Sequence, residues 1–518
     1  MLTLILFTII IILVLTYCRV IFQRQQYFKL LNISGPKSEF FFGHLRQIWN
    51  VKVYSRKLQE WTKQYGKIYG IFEGTLPIYV VSNLDFIEQV FIKQFSNFNT
   101  RKSVIITSIS KGRSTHLVSA VGRTWKRQRS IINQTFSAIK LKQMSPLMID
   151  CVNELMKNVK NEEFNIYTLY KRMALDVICR CAFGIDTNMQ NEPDNIYLKK
   201  IDKMFSPDIL KSPLVKLYLL LPELSSLFIN IFLYQNRIRG IINKFLPTRY
   251  KLEKMPFVWI LDQIHDIIKM RLKTEKQRID LLKFMLDLAT HEDIKEQADN
   301  GINQSIPKQL AYGEVQHNVF FFMVAGYETT AVTLAYCTYV LANYPKVQEK
   351  LQEEIDHHYH KENDNYSDYY IISNMEYMEL FIKEVLRMFP VAISQTTNRQ
   401  CVRETTVCGY QIAKGIIVQA DVYSIHYDQE LWGPENVNDF CPERHLIKRH
   451  PLAWLAFGAG PRICVGMRFA LIEIKLLLMN LLKEYTIIKC EKLEKNFNVI
   501  ETITIAPEEV WIKLEKRY

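Results

Sequence analysis

The chain is 518 residues long, 48% hydrophobic and 23% charged, a balance that excludes a disordered polypeptide or a bundle of membrane spans and leaves room for a core enclosing a large cofactor. Its net charge of +13 would suit nucleic acid, but no stripe of Lys and Arg interleaved with aromatics accompanies it, so a membrane surface or an acidic protein partner is expected and nucleic acid is not. Ten scattered cysteines, with no Cys-x-x-Cys pair and no zinc spacing, suit a reducing compartment.

Residues 1–18 carry no charge and are almost all aliphatic, and Arg19, Arg24 and Lys29 follow at once. Continued to Phe22, the run is long enough for one membrane span. The basic n-region and small-residue cleavage site of a signal peptide are missing, so 1–22 reads as an uncleaved anchor. The positive charge behind it places the rest of the chain in the cytosol. A basic linker, 23–37, ends in the breaker Ser34-Gly35-Pro36-Lys37. The remaining 38–518 shows no composition break and is expected to form one large domain.

Lys67 to Ser82 alternates apolar and polar residues around Gly74 and Pro77, as a hairpin would. Trp125 and Arg129 stand at i and i+4 on one helix face, with Lys126 and Arg127 pointing elsewhere. Leu214 to Tyr234 is the most apolar internal stretch, but Lys216, Pro222 and Glu223 argue against a second span. Two short helices dipping into the bilayer surface, or plain core helices, both fit it. Glu314 to Ala342 is apolar nearly all round and predicts a long buried helix. Within it the small pair Ala325-Gly326 would let a flat ring or dioxygen approach the backbone, and Thr329 can return its hydroxyl to the Ala325 carbonyl, bending the helix.

Asp356 to His360 reads as a solvated polar loop holding three histidines, and Glu384 and Arg387 share a helix face. Short strands are expected between Arg399 and Val418 and between Ile500 and Leu514. The class is mainly α with small β-sheets.

The decisive stretch is Phe457-Gly458-Ala459-Gly460-Pro461-Arg462-Ile463-Cys464-Val465-Gly466. Glycines at 458, 460 and 466 would allow turn conformations that a Cβ forbids, and close approach to a flat ligand. The apolar run from Phe469 to Leu477 predicts a helix whose N-terminus favours negative charge on Cys464, so a thiolate is expected at neutral pH. A Gly-x-Gly-x-x-Gly dinucleotide site is excluded because Ile463 stands where its third glycine should be.

This stretch resembles the Phe-x-x-Gly-x-Arg-x-Cys-x-Gly signature of the cytochrome P-450 superfamily at every fixed position. Val324 to Thr330 and Leu351 to Asp356 look most like its animal microsomal members, the clan of drug-metabolising enzymes and thromboxane synthase. The resemblance implies the cytochrome P-450 fold, haem b (iron protoporphyrin IX) as cofactor, Cys464 as axial metal ligand, and Trp125, Arg129, Arg462, Arg399 and Arg101 as holders of the propionates. It implies Glu328 and Thr329 as the acid and hydroxyl that relay protons during oxygen activation. It also implies a structural network of Glu384 and Arg387 with Arg444 of Pro442-Glu443-Arg444, where His445 replaces the usual aromatic.

The implied activity is insertion of one oxygen atom of dioxygen into a lipophilic small molecule. Electrons would come from NADPH through NADPH-cytochrome P-450 reductase, with cytochrome b5 as a second donor, because the chain has no flavin or nicotinamide fingerprint of its own. Lys126, Arg127, Lys448 and Arg449 are expected to dock that donor. Arg101 to Ala120, Val391 to Thr397 and Thr502 to Ile505 are the candidate substrate contacts. The implied location is the endoplasmic reticulum membrane, with the catalytic domain facing the cytosol. Two alternatives share the fold: a haem-thiolate isomerase acting on a peroxide without dioxygen, against which Thr329 speaks, and a membrane-tethered haem or lipid-binding protein without turnover.

Overall fold

The computed structural model of the protein describes every residue except 104–114, 207, 248–249, 275–277, 291–293, 295–307, 362–366 and 518. Most of the expected substrate loop from Arg101 to Ala120 therefore lies outside the described residues.

Helix α1, Leu2–Gln25, is long and apolar enough from Thr3 to Gln25 to cross a membrane, and it stands almost wholly outside the protein core. Its far end is docked. Ile21 is buried, and Phe28 just beyond it fills the space in front of Gly70, where a Cβ would sit 2.3 Å from the ring. Arg24 forms an ion pair with Glu223, and the Tyr17 hydroxyl reaches the same carboxylate at 3.3 Å.

The hairpin read from the sequence is present as β1, Ile68–Glu73, and β2, Leu76–Val81, turning at Gly74 with φ +60°. There follow α2, Gly122–Thr135; α3, Ala138–Lys157; β3, Phe164–Asn165; α4, Ile166–Ile178; and α5, Ile196–Phe205. The apolar stretch after them forms α6, Pro213–Leu220, and α7, Ser225–Phe245, bent by 112° at the intervening Pro222 turn. The second of these is long rather than short. Only Phe228 and Ile229 of α7 are buried while Leu227, Ile231, Tyr234 and Ile238 are exposed, which excludes a plain core helix.

Helix α8, Tyr312–Asn343, is the central long helix that its all-round apolarity predicts. The Glu314 carboxylate accepts the Ala311 N–H at 3.0 Å and closes its first turn. It packs most extensively on α4. The three-histidine segment is no loop: Pro345–Lys361 is helix α9, where Gln348 and Gln352 on the opposite face bury themselves by binding backbone carbonyls of the strand beneath. Helix α10 is Glu376–Met388, with Glu376 and Glu379 in the first turn and Arg387 in the last, in keeping with the helix dipole. Helix α11 is Met467–Glu484.

The expected short strands form small sheets. Strands β4, Asn398–Gln400, and β5, Ile417–Ala420, extend the first hairpin into a four-stranded sheet in the order β1-β2-β5-β4. The β2 and β5 strands are parallel, with Ile78 opposite Ile417, and the other pairings are antiparallel. Strand β6, Tyr485–Lys489, with β7, Trp511–Lys516, and β3 makes a second sheet. A hairpin of Val499–Glu501 and Ile505–Pro507 places Thr504 at its turn.

Candidate haem-binding site

Cys464 sits three residues before α11, at the end of a turn built by two glycines. Gly458 and Gly460 have φ of +75° and +69°, a region that penalises any side chain, and a Cβ on Gly460 would stand 2.1 Å from the Phe91 carbonyl oxygen. Gly466 is different. Its φ is −87° and a Cβ there would meet only Phe136 at 3.9 Å, so the turn does not require it.

The cysteine side chain is exposed, although neighbouring groups crowd it. Burial is the largest influence on its thiol and pushes its pKa up. The Gly466 and Met467 N–H groups and the Arg129 and Arg101 guanidiniums pull it down without cancelling that effect. The protein groups alone thus favour the thiol, contrary to the expectation of a thiolate held by the helix terminus.

Four arginines gather near this cysteine. Arg462 is buried with its guanidinium 4.9 Å from the centre of the Trp125 ring, and it donates to the Val118 carbonyl at 3.2 Å. Arg101 donates to the Arg462 carbonyl at 2.9 Å. Arg399, from β4, lies over Phe91 at 4.2 Å and donates to the Ala459 carbonyl at 3.2 Å. Arg129 is half-buried on α2. Among the described residues no carboxylate pairs with any of the four, and the Nε atoms of Arg101, Arg399 and Arg462 have no hydrogen-bond partner. Burial first, and mutual repulsion second, push Arg462 down to about 8 and Arg399 well below the ordinary value. For Arg101, burial pushes down, to about 10, against an upward pull from Cys464, with Arg129 adding a lesser push down. A guanidinium does not give up its proton in proteins, so the direction reads as crowded positive charge that lacks its anion.

Helix α8 is buried over most of its surface; Gln316, Gly326 and Tyr339 are partly open, and so is a row of residues along one face. His317, Phe321, Ala325 and Thr329, at successive i+4 positions, stay partly open. Thr329 donates its hydroxyl to the Ala325 carbonyl at 2.7 Å. Gly326 faces another way, because a Cβ there would meet Ile178 of α4 at 3.0 Å. Its lack of a side chain serves helix packing rather than the approach of a ring. Phe136 packs edge-on against Phe322 of α8 and Phe469 of α11, at 5.4 and 6.3 Å, and ties the end of α2 to both helices. Glu328 is buried, with the Tyr167 hydroxyl 3.4 Å from Oε1 and no partner on Oε2.

Away from Cys464, Glu384 accepts two hydrogen bonds of 2.8 Å from Arg387, one of 2.8 Å from Arg444 and one of 2.9 Å from His445. The remaining guanidinium N–H groups are spent on backbone carbonyls, among them those of His426, Val437, Trp432 and Asp439. Burial would raise the Glu384 carboxyl, but the hydrogen bonds from Arg387 and His445 outweigh it and hold it at about 2. His445 thus closes the network where an aromatic residue could not.

The expected donor-docking set is reduced to two. Arg127 is buried and makes a paired contact with Glu314, at 2.8 and 2.7 Å, because α2 turns that face toward the start of α8. Arg449 is half-buried against Trp432 and donates to Leu431. Lys126 and Lys448 are exposed. Glu314 and Tyr167 are residues that no local pattern signals, since their partners lie 187 and 161 positions away.

An accessible cysteine on a glycine turn, facing buried cations without anions, fits an iron porphyrin with two propionates. Comparison with known proteins agrees. A family model described as Cytochrome P450 matches residues 33–513. The chain is 34% identical over 502 residues to cytochrome P450 CYP13A5 of Caenorhabditis elegans, covering 94% of each chain. It is similar at 33% over 514 residues to CYP13A4, and at 31% over 513 to cyp-13B1, both of the same organism, with 94% and 95% of each chain covered.

Proposed function

The chain belongs to the cytochrome P450 family and is a haem-dependent monooxygenase; from that premise we propose that it oxygenates a lipophilic small molecule with electrons passed from NADPH by a membrane-bound reductase. The bound haem, read as haem b, supplies electron acceptance and oxygen activation. Cys464 would hold its iron through sulfur. Arg129, Arg462, Arg399 and Arg101, with the Trp125 N–H, would hold its propionates by hydrogen bonds to the carboxylates. Thr329, on the partly open face of α8, and the buried Glu328 beside it would hold and pass protons, and Glu384, Arg387 and Arg444 brace the fold. Residues 1–22 anchor 38–518 to the endoplasmic reticulum through the linker 23–37, with the domain in the cytosol. The apolar crest of α6 and α7 rests on the bilayer, and Lys126 and Lys448 meet an acidic donor, reductase or cytochrome b5.

The observation that carries this reading is the cluster of buried guanidiniums without carboxylates beside an accessible cysteine. The test is the spectrum of the reduced CO complex of the full chain. Wild type is expected to show the far-red-shifted Soret band of thiolate ligation, and Cys464→Ser to lose it. A band that survives the substitution assigns the ligand elsewhere. Product formation that depends on NADPH and dioxygen supports monooxygenation of the substrate, whereas turnover of a hydroperoxide without NADPH supports the isomerase.

A further inference from the structure

Glu328 is one of the most weakly partnered carboxyls in the protein core, and the groups around it are of opposite sign. It is 5% exposed. Its Oε1 receives one long hydrogen bond, 3.4 Å from the Tyr167 hydroxyl on α4, and its Oε2 receives none. The Thr504 hydroxyl, on the hairpin turn, exerts the weakest influence of the set. Lys171, one turn after Tyr167 on α4, holds its ammonium 4.8 Å from the Tyr167 ring centre, a cation–π contact that fixes the tyrosine. The same ammonium stands 4.0 Å from Asp202 on α5. Asp202 in turn accepts the hydroxyl of Tyr327, the residue before Glu328 on α8. Three helices thus meet at one buried carboxyl, and the cation and anion beside it both reach solvent, with side chains 27% and 47% exposed.

We propose that Tyr167, Lys171 and Asp202 are positioning residues that govern which oxygen of Glu328 stays free and whether that carboxyl carries a proton. The inference rests on the proton-handling role given to Glu328 above. The tyrosine engages Oε1 and, among the described residues, leaves Oε2 without a hydrogen-bond partner. The charges act through the low-dielectric interior, where each counts for more than it would in water. Burial is the chief cause that lifts the Glu328 carboxyl to about 7. Lys171 pulls it down, Asp202 pushes it up, and the Tyr167 and Thr504 hydroxyls pull it down by lesser amounts. Tyr327 belongs to the same set through its bond to Asp202. With burial setting the level, the ion pair holds it near neutrality, where a carboxyl can both accept and release a proton.

Infrared difference spectra of the haem-loaded full chain against pH test this directly. The protonated-carboxyl band of Glu328 is identified by its loss in Glu328→Gln. Lys171→Gln and Tyr167→Phe are expected to move its titration midpoint up, and Asp202→Asn to move it down. Opposite signs from two neighbouring surface residues are not what a merely structural role would give. Failure of either Lys171→Gln or Asp202→Asn to shift in its stated direction overturns the proposal. The parent reading is judged separately, by product formed per NADPH consumed in Glu328→Gln. Unchanged coupling there removes the proton-handling role and leaves the infrared shifts to stand or fall alone.

Discussion

Two clusters of buried arginine sit in this protein and are resolved in opposite ways. Around Glu384, the guanidiniums of Arg387 and Arg444 meet a carboxylate and a ring of carbonyls, and the charge is settled within the protein. Around Cys464, Arg101, Arg129, Arg399 and Arg462 meet carbonyls and one another, with no described carboxylate to balance them. A buried charge that is already paired is structure, and one that is not is an invitation to a ligand. The contrast separates the two roles without any sequence motif.

The sharpest way to break the comparison is to open the settled cluster. Glu384→Gln leaves two buried guanidiniums without their anion and is expected to cost about 3–5 kcal/mol of unfolding free energy, read from urea denaturation. The same residue predicts an acid limb. Its folded value of about 2 lies below the ordinary 4.5, so its contribution is complete above 4.5 and is lost as pH falls from there toward 2. Denaturation midpoints should fall over that window in wild type and stay flatter in Glu384→Gln.

Glu328 should slope the other way. Its value of about 7 lies above the ordinary 4.5, so folding favours its protonated form, and stability declines as pH rises from 4.5 through 7. The full effect is about 3 kcal/mol from the shift between the two values, and Glu328→Gln should remove that decline. If wild type and variant run parallel between pH 5 and 8, the carboxyl is already ionised in the folded protein.

The smallest effect is the most discriminating. Arg129 makes no hydrogen bond within the described protein and stands among like charges, so Arg129→Gln should leave the haem-free chain within about 1 kcal/mol of wild type, or above it. The same variant should lose haem faster to an excess of apomyoglobin. Equal haem loss would remove Arg129 from the cradle, and a large loss of haem-free stability would make the second cluster structural like the first.

What the sequence discloses follows from how local each signal is. The Cys464 turn packs its glycines, arginine and cysteine into ten residues, and helix α8 advertises its burial through apolarity on every face. The β1-β2 hairpin is equally local. Arg127 misled because its partner Glu314 is 187 positions distant, and a basic residue beside Lys126 looks the same whether it faces water or a carboxylate. Gly326 looked like room for a ligand, but what occupies that room is Ile178, from a helix that only the tertiary fold brings near. The polarity of the histidine run suggests a loop, yet the run continues helix α9, whose other face is pinned by Gln348 and Gln352 to carbonyls of a distant strand.

The grip of Glu223 on Arg24 and Tyr17 has a mechanical meaning. A domain on a slack leash would swivel freely beneath its tether, but here the peg is clamped at the bend between α6 and α7, with Ile21 and Phe28 wedged in beside it. These contacts join α1 to the catalytic domain at a second point besides the chain itself. Exchanging 1–22 for an unrelated hydrophobic span should preserve attachment, while cutting the clamp at Glu223 should let the same attached molecule lose its bearing.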